Sequence, residues 1–309
     1  MLDVLRRLTI LYRADAPLWV RSYVWAAEAI LLDPLLYIVV AAVLLLEWRL
    51  PADSRQPRLS KGFWQDLFWF LGDRLMWVGA LGALAHSARL FYHAYLSALT
   101  LDVVVSLPGV ARIVLSLLVF DFFDWGRHYL KHRVWWLWTF HAVHHSQREM
   151  NLFSDLRVHS VEYLVAKSIM FVPLFMVPLK EPAIMAYSAA TVWYTRLIHA
   201  NVRTNLGPLR HILVTPQYHR IHHSMELRHR DRNFGVVFTV WDRIFGTMYP
   251  HFDEYPPTGV EGVDFSPLPR PSPAAWLASI WSQVAYPFRQ LLLRKRAVWS
   301  AHASTSLTG

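Results

Sequence analysis

Three histidine runs carry the chemistry of this sequence: His128-x3-His132, His141-x2-His144-His145 and His219-x2-His222-His223. Twelve of the 16 histidines fall between His128 and His229. Residues three and four apart share one face of a helix, so the spacing predicts that each run aims its imidazoles at a single point. Neutral imidazole is the commonest transition-metal ligand in proteins. The eight ring donors of the runs exceed what one ion can use, which predicts two metal ions held close together. There is no cysteine. That excludes disulfides, thiolate zinc sites and iron–sulfur clusters, and leaves nitrogen and oxygen as ligands.

A single HxxHH is a weak signal; two copies plus an HxxxH, each at the polar edge of an apolar segment, is a strong one. His199, beside Asn201, is read as a further ligand. His159 is read either as a ligand or as a residue that orients one through its second nitrogen. Asp121 and Asp124 lie one turn apart on the helix that delivers His128. They fit carboxylates that fix a histidine tautomer, or ion-pair partners of Arg127 and Lys131. His86, His93, His251 and His302 receive no role, and His211 and His229 are read as surface residues.

The elements that must position these residues are read as membrane helices. The chain has 309 residues, 54% of them hydrophobic and 17% charged, against about 25% charged in an ordinary soluble domain. Apolar runs long enough to be candidate spans are Val24 to Glu47, Phe63 to Ala85, Ala88 to Leu107 and Val110 to Trp125. Val161 to Leu179 and Pro182 to His199, joined by Lys180-Glu181-Pro182, predict a hairpin that dips into lipid and returns His159 and His199 to the side of the runs. Residues 201–260 read as a membrane-surface cap. Ala275 to Leu293 reads as an interfacial helix, followed by a disordered tail. The expected fold is therefore all-α: an integral membrane helical bundle with a cytosolic helical cap bearing a histidine-rich di-metal site. Its expected parts are 1–109 (membrane helices), 110–260 (catalytic domain) and 261–309 (Pro-rich linker, interfacial helix and tail). The formal charge of +9 comes from Lys and Arg flanking apolar runs, which fits anionic headgroups and excludes a nucleic-acid domain. That bias places the metal site on the cytoplasmic face of an inner membrane if an even number of crossings precedes Arg127; the basic linker at Arg55 and Arg58 counts against it, and the number of spans before His128 stays open. No secretory or twin-arginine signal is read at the N-terminus.

These motifs resemble the fatty acid hydroxylase/sterol desaturase superfamily of membrane oxygenases. The resemblance is carried by Asp121…His128-x3-His132, Trp138-x2-His141-x2-His144-His145-Ser146, Asn151, Arg157-x-His159, His199-x-Asn201 and Thr215-Pro216-x2-His219-Arg-x-His222-His223-Ser224. Asn233-Phe-Gly…Trp241-Asp242-x2-Phe245-Gly246-Thr247 completes it. The resemblance implies a non-haem site of two iron ions that activates dioxygen to hydroxylate or desaturate a lipid such as a fatty acyl chain or sterol. Two departures stand out. Ser160 replaces a proline common in the family, and Arg203 stands where some members have another histidine, so that one iron would lean on Asn201.

Trp125, Trp135, Trp136, Trp138 and Phe140 fit either the lining of a substrate entry or an interfacial aromatic belt. The sequence holds no G-x-G-x-x-G and no haem-attachment motif, so electrons are expected from an external donor, a cytochrome b-type protein or a ferredoxin with its reductase. The basic residues Arg127, Lys131, Arg133 and Arg148 would dock such a carrier or a lipid headgroup. Two other functions compete. A zinc-dependent membrane hydrolase or lyase would need a Glu base near the ligands, and none lies inside the runs. A metal transporter would place its histidines within the spans.

Overall fold

The computed structural model of the protein describes residues 34–177, 191–266 and 272–305. Its helices are α1 (Pro34–Arg49), α2 (Lys61–Phe91), α3 (Gly109–Arg133), α4 (Trp135–His145), α5 (Ser160–Met176), α6 (191–199), α7 (Pro216–His222) and α8 (Pro273–Thr305). Among the described residues there is no β-strand, only isolated bridges such as Leu213 to Phe238. The all-helical expectation holds for these residues.

Local chemistry sets the helix starts near the histidines. Thr215 accepts the Tyr218 amide (3.1 Å) and Pro216 follows at the first helical position, which starts α7 just ahead of His219. The His159 ring nitrogen accepts the Val161 amide (3.2 Å) and so begins α5. Val134 alone, in an extended conformation, separates α3 from α4. This one-residue break folds α4 back so that His132 and His141 lie ring to ring at 5.0 Å.

Helices α3 and α5 run antiparallel. Lys131 pairs with Glu162 at one end (2.8 Å), and Phe120 packs with Met170 and Leu174 at the other. Helix α8 closes the far side of α4 and α2. Gln283 accepts the Trp69 indole N–H (2.8 Å), Ser279 accepts the Gln65 amide (2.6 Å), and Phe288 stands against Phe140.

Buried carboxylates tie the irregular segments to this frame. Asp66 of α2 accepts Arg157 Nε (2.6 Å), Asn151 Nδ2 (2.8 Å), Ser154 Oγ (3.0 Å) and the Gln147 amide. Asp242 accepts the Trp125 indole (3.0 Å), the Tyr218 hydroxyl (2.8 Å), the amides of Phe234 (3.0 Å) and Gly235 (2.6 Å), and Thr247 Oγ1 (2.5 Å). It thereby locks α3 to α7, two of the helices that carry the histidines. Gly235 is required there, because a Cβ would stand 2.8 Å from the Phe238 carbonyl and 3.0 Å from Asp242.

The expected membrane bundle is not confirmed: among the described residues no helix is long and apolar enough to cross a membrane. The described part of helix α1, Pro34–Arg49, is apolar. Helix α2 is interrupted by Asp66, Asp73 and Arg74, and α3 by Arg112, Asp121, Asp124 and Arg127. The stretch from Ala88 to Leu107 is not one helix. It passes from the end of α2 through a π-turn (Tyr92–Leu96), a 3-10 turn (Ser97–Leu99) and the single turn Val103–Ser106. Ser97, Thr100, Asp102 and Pro108 supply the breaks, since short polar side chains compete for backbone groups and proline blocks continuation. Helix α8 continues to Thr305, through part of the expected tail. The N-terminal signal reading, the start of the Val24 to Glu47 segment and the Lys180-Glu181-Pro182 turn lie outside the described residues.

Arg157 is buried, and Asp66 is its carboxylate partner. Asp66→Ala should strand this cation and destabilise the fold by about 3–5 kcal/mol. Thermal unfolding would read this as a lowered midpoint; an unchanged midpoint would show that the Asp66 network does not hold the loop.

Candidate metal centre

Nine histidines converge, and they do so as two groups. His128, His132, His141, His145 and His222 form one; His144, His199, His219 and His223 form the other. Within each group, one ring nitrogen per residue lies within 4.8 Å of all the others. The runs do not each serve one point, as their spacing had suggested. His141 and His145 join the first group while His144, between them, joins the second. On α7 the division is reversed: His219 and His223 join the second group and His222 the first. Helix geometry explains the split. Consecutive residues diverge by about 100°, whereas i and i+4 differ by only about 40°.

Hydrogen bonds on the outer nitrogens orient the rings. The Nδ1–H groups of His128, His222, His199 and His144 donate to the carbonyls of Phe234 (2.9 Å), Arg232 (2.8 Å), Thr195 (2.6 Å) and Arg157 (3.3 Å). His141 Nδ1 donates to Glu162 Oε1 (2.8 Å), and His132 Nδ1 faces Asp231 at 3.6 Å. Each such bond leaves Nε2 as a bare donor atom aimed inward.

The inward atoms fit a cation. Nε2 of His132, His141, His145 and His222 is buried without a hydrogen-bond partner. In the second group, Nε2 of His199 lies 3.2 Å from that of His144 and 2.9 Å from that of His219, and His223 Nε2 lies 3.1 Å from His219 Nε2. His199 and His144 already use Nδ1 to donate, so their facing Nε2 atoms bring lone pair against lone pair. Ligands about 2.0–2.1 Å from one ion sit roughly 3 Å from each other. Burial, reinforced by the neighbouring rings, holds the imidazoles of His128, His141, His144, His145, His219, His222 and His223 well below the ordinary histidine value, in the neutral form that ligates.

The other candidates lie elsewhere. His159 is outside both groups: besides capping α5 it approaches the Val284 carbonyl (3.2 Å) and packs between Phe140 and Phe288. Asn201 is pinned to Asp53, accepting its amide (2.9 Å) and donating to its carbonyl (3.1 Å), and so does not reach the centre. Asp121 orients no histidine; it accepts the amides of Val237 (2.9 Å) and Phe238 (3.1 Å) and the Trp241 indole (3.0 Å). Asp124 pairs with Arg127 (2.5 Å). The carboxylate that does reach a clustered ring is Glu162, absent from the sequence reading, since no local pattern links it to His141. Its presence also removes the argument that no glutamate stands near the ligands.

His229 is buried rather than superficial, held by Ser224 Oγ (2.8 Å) and Glu254 (3.2 Å). The basic residues proposed for docking each face a carboxylate: Lys131 with Glu162, Arg127 with Asp124, Arg133 with Asp231 and Arg148 with Asp264.

A cavity of about 600 Å³ opens onto both groups, reaching His128 and His141 of one and His144, His199 and His219 of the other. Its volume falls within the range of small-molecule sites. None of the aromatic residues suggested for substrate entry lines it. Trp125 is instead buried against Phe245 (4.4 Å), and Trp138 backs His132 and His145.

Residues 113–247 match the family model described as Fatty acid hydroxylase. Among similar proteins, an ornithine lipid hydroxylase of Rhizobium tropici is 32% identical over 46% of this chain and 43% of its own. Human alkylglycerol monooxygenase is 37% identical over 41% of this chain and 28% of its own. Human cholesterol 25-hydroxylase is 32% identical over 44% of this chain and 51% of its own. The chain thus spans at most about half the length of these relatives. No solved structure gives a significant match.

In the unfolded chain the histidines protonate near 6.5; in the folded, metal-free chain the clustered ones resist protonation. Below that pH the unfolded state binds more protons, so stability is full above about 6.5 and is lost as pH falls. Thermal midpoints of metal-free protein from pH 8 to 5 should therefore stay level and then drop below about 6.5; a flat profile would contradict burial of the rings.

Proposed function

Residues 113–247 belong to the fatty acid hydroxylase family, and on that premise we propose that the protein is a membrane-associated oxygenase that hydroxylates or desaturates a lipid. It would use two iron ions, dioxygen and electrons from an external donor. The observation that carries this reading is the pair of adjacent, purely imidazole groups opening on one shared cavity. His128, His132, His141, His145 and His222 would hold one ion, and His144, His199, His219 and His223 the other. Bound there, iron would supply the redox chemistry that dioxygen needs to attack an unactivated C–H bond, which side-chain acids and bases cannot do alone.

The chain's own contribution is position and exclusion of water. The carbonyls of Phe234, Arg232, Thr195 and Arg157 keep their rings in one tautomer. Glu162 does so for His141 and is itself held by Lys131 (2.8 Å). Phe120, Met170, Phe171 and Leu174 give the cavity an apolar wall suited to a hydrocarbon chain.

A membrane location is supported by large apolar side chains left exposed. These include Ile38, Leu45 and Trp48 of α1, Val110, Ile113 and Val114 of α3, and Leu277, Trp281 and Leu292 of α8. A cytoplasmic-facing centre and an electron carrier of the cytochrome b or ferredoxin type complete the proposal.

Comparative lipid mass spectrometry of cells with and without the gene should show a lipid that gains one oxygen atom or loses two hydrogens, only when dioxygen is supplied. His144→Ala and His222→Ala, one from each group, should lower product by more than about 100-fold and reduce bound iron. Zinc in place of iron, with turnover in the absence of dioxygen, would favour the hydrolase reading instead.

A further inference from the structure

The walls of the cavity share one polarity gradient. On α5 the lining face begins with Glu162, Tyr163 and Lys167 and ends with Met170, Phe171 and Leu174. On the antiparallel α3 it begins with Lys131, Arg127 and Asp124 and ends with Phe120. The charged ends coincide, because Lys131 and Glu162 touch (2.8 Å) and Glu162 bonds His141 (2.8 Å). The apolar ends coincide as well, since Phe120 packs with Met170 and Leu174. On α6, Thr195 and the buried Arg196 lie within about one turn of His199, and Thr191 and Val192 lie further off. The α3 and α5 walls are therefore ionic beside the histidines and hydrocarbon-like away from them. From Glu162 to Leu174 the α5 face extends about 18 Å.

Resting on the oxygenase reading, we propose that the substrate is an amphiphile with an ionic headgroup, lodged headgroup-first beside the histidine groups with its hydrocarbon chain directed toward Phe120 and Leu174. The bond attacked then lies in the headgroup or in the first few carbons next to it. A bare hydrocarbon or a sterol ring pressed against the Arg127–Asp124 and Lys131–Glu162 ion pairs would leave Glu162 Oε2, which has no hydrogen-bond partner among the described residues, and the pairs' spare N–H groups unmet, at a cost that ionic headgroup atoms avoid. Arg196 is the specificity residue this places at the junction, one turn from His199. The oxidation itself balances as one C–H bond, one dioxygen, two electrons from the external donor and two protons from solvent giving one C–OH and one water.

The test uses the full-length protein expressed in a host supplied with ionic, nonionic and sterol lipids, with tandem mass spectrometry locating the added oxygen. The expected product carries it in the headgroup-containing fragment. Oxygen in the distal half of the chain, or a sterol as sole product, would overturn this inference and leave the oxygenase reading intact. No oxidised product from any lipid would instead remove the oxygenase reading on which the inference rests. Leu174→Trp should shorten the longest chain accepted while the oxygen position, counted from the headgroup, stays fixed; a position that shifts with the plug would mean tail-first entry. Binding followed by tryptophan fluorescence gives a readout apart from turnover. Arg196→Gln should weaken binding of a dodecyl zwitterionic amphiphile about tenfold and leave dodecanol unaffected, with Arg196→Lys restoring most of the loss. Equal loss for both ligands, or no rescue by lysine at unchanged iron content, would overturn the role of Arg196.

Discussion

Nine neutral imidazoles buried together, with inward nitrogens that have no partner but each other, set the constraint around which the protein is built. Each buried unsatisfied nitrogen costs on the order of 1–3 kcal/mol, and facing lone pairs repel. Cations between them would satisfy many donors at once, and imidazole offers such donors without burying negative charge. The fold must therefore bring four separate helices to one place and hold each ring with its second nitrogen turned outward. Backbone carbonyls meet the outer nitrogens of His128, His144, His199 and His222, and the Glu162 carboxylate meets that of His141.

Holding that place falls to carboxylates that touch no clustered histidine. Asp242 gathers the Trp125 indole of α3, the Tyr218 hydroxyl of α7 and two loop amides, so the first and third histidine runs are joined through one buried side chain. Asp66 does the same for the loop between α4 and α5, which carries the Arg157 carbonyl that orients His144. Asp121 ties the amides of Val237 and Phe238 to α3. Buried carboxylates satisfied by several donors rigidify a site strongly, and rigidity is what a preorganised metal centre requires.

The same elements shape the space in front of the metal groups. Helices α3 and α5 supply histidine ligation or orientation at one end and apolar wall at the other, so polarity along the cavity is linked to distance from the centre. One pair of helices therefore sets both the polarity of the cavity and its distance from the histidines.

Donor type, the number of runs and the helical character of the described residues could be read from the residues alone, because helical periodicity and imidazole chemistry are local properties; His199, read as a ligand from an apolar hairpin, does join a group. The sequence left the partition of donors undecided, since an HxxHH run directs its two adjacent rings about 100° apart and only the neighbouring helices decide which group each ring meets. Closeness along the chain suggested that Asp121, Asn201 and His159 touch the ligands or the ions, whereas Asp121 and Asn201 satisfy distant backbone amides and His159 caps a helix; Asp124 takes the ion pair with Arg127 that its helical spacing also allowed. Glu162, 21 residues from His141, becomes its partner through the antiparallel packing of α3 and α5 and the fold-back at Val134. Long-range pairing of this kind depends on which helix faces pack together, a property of the assembled fold that no local spacing encodes.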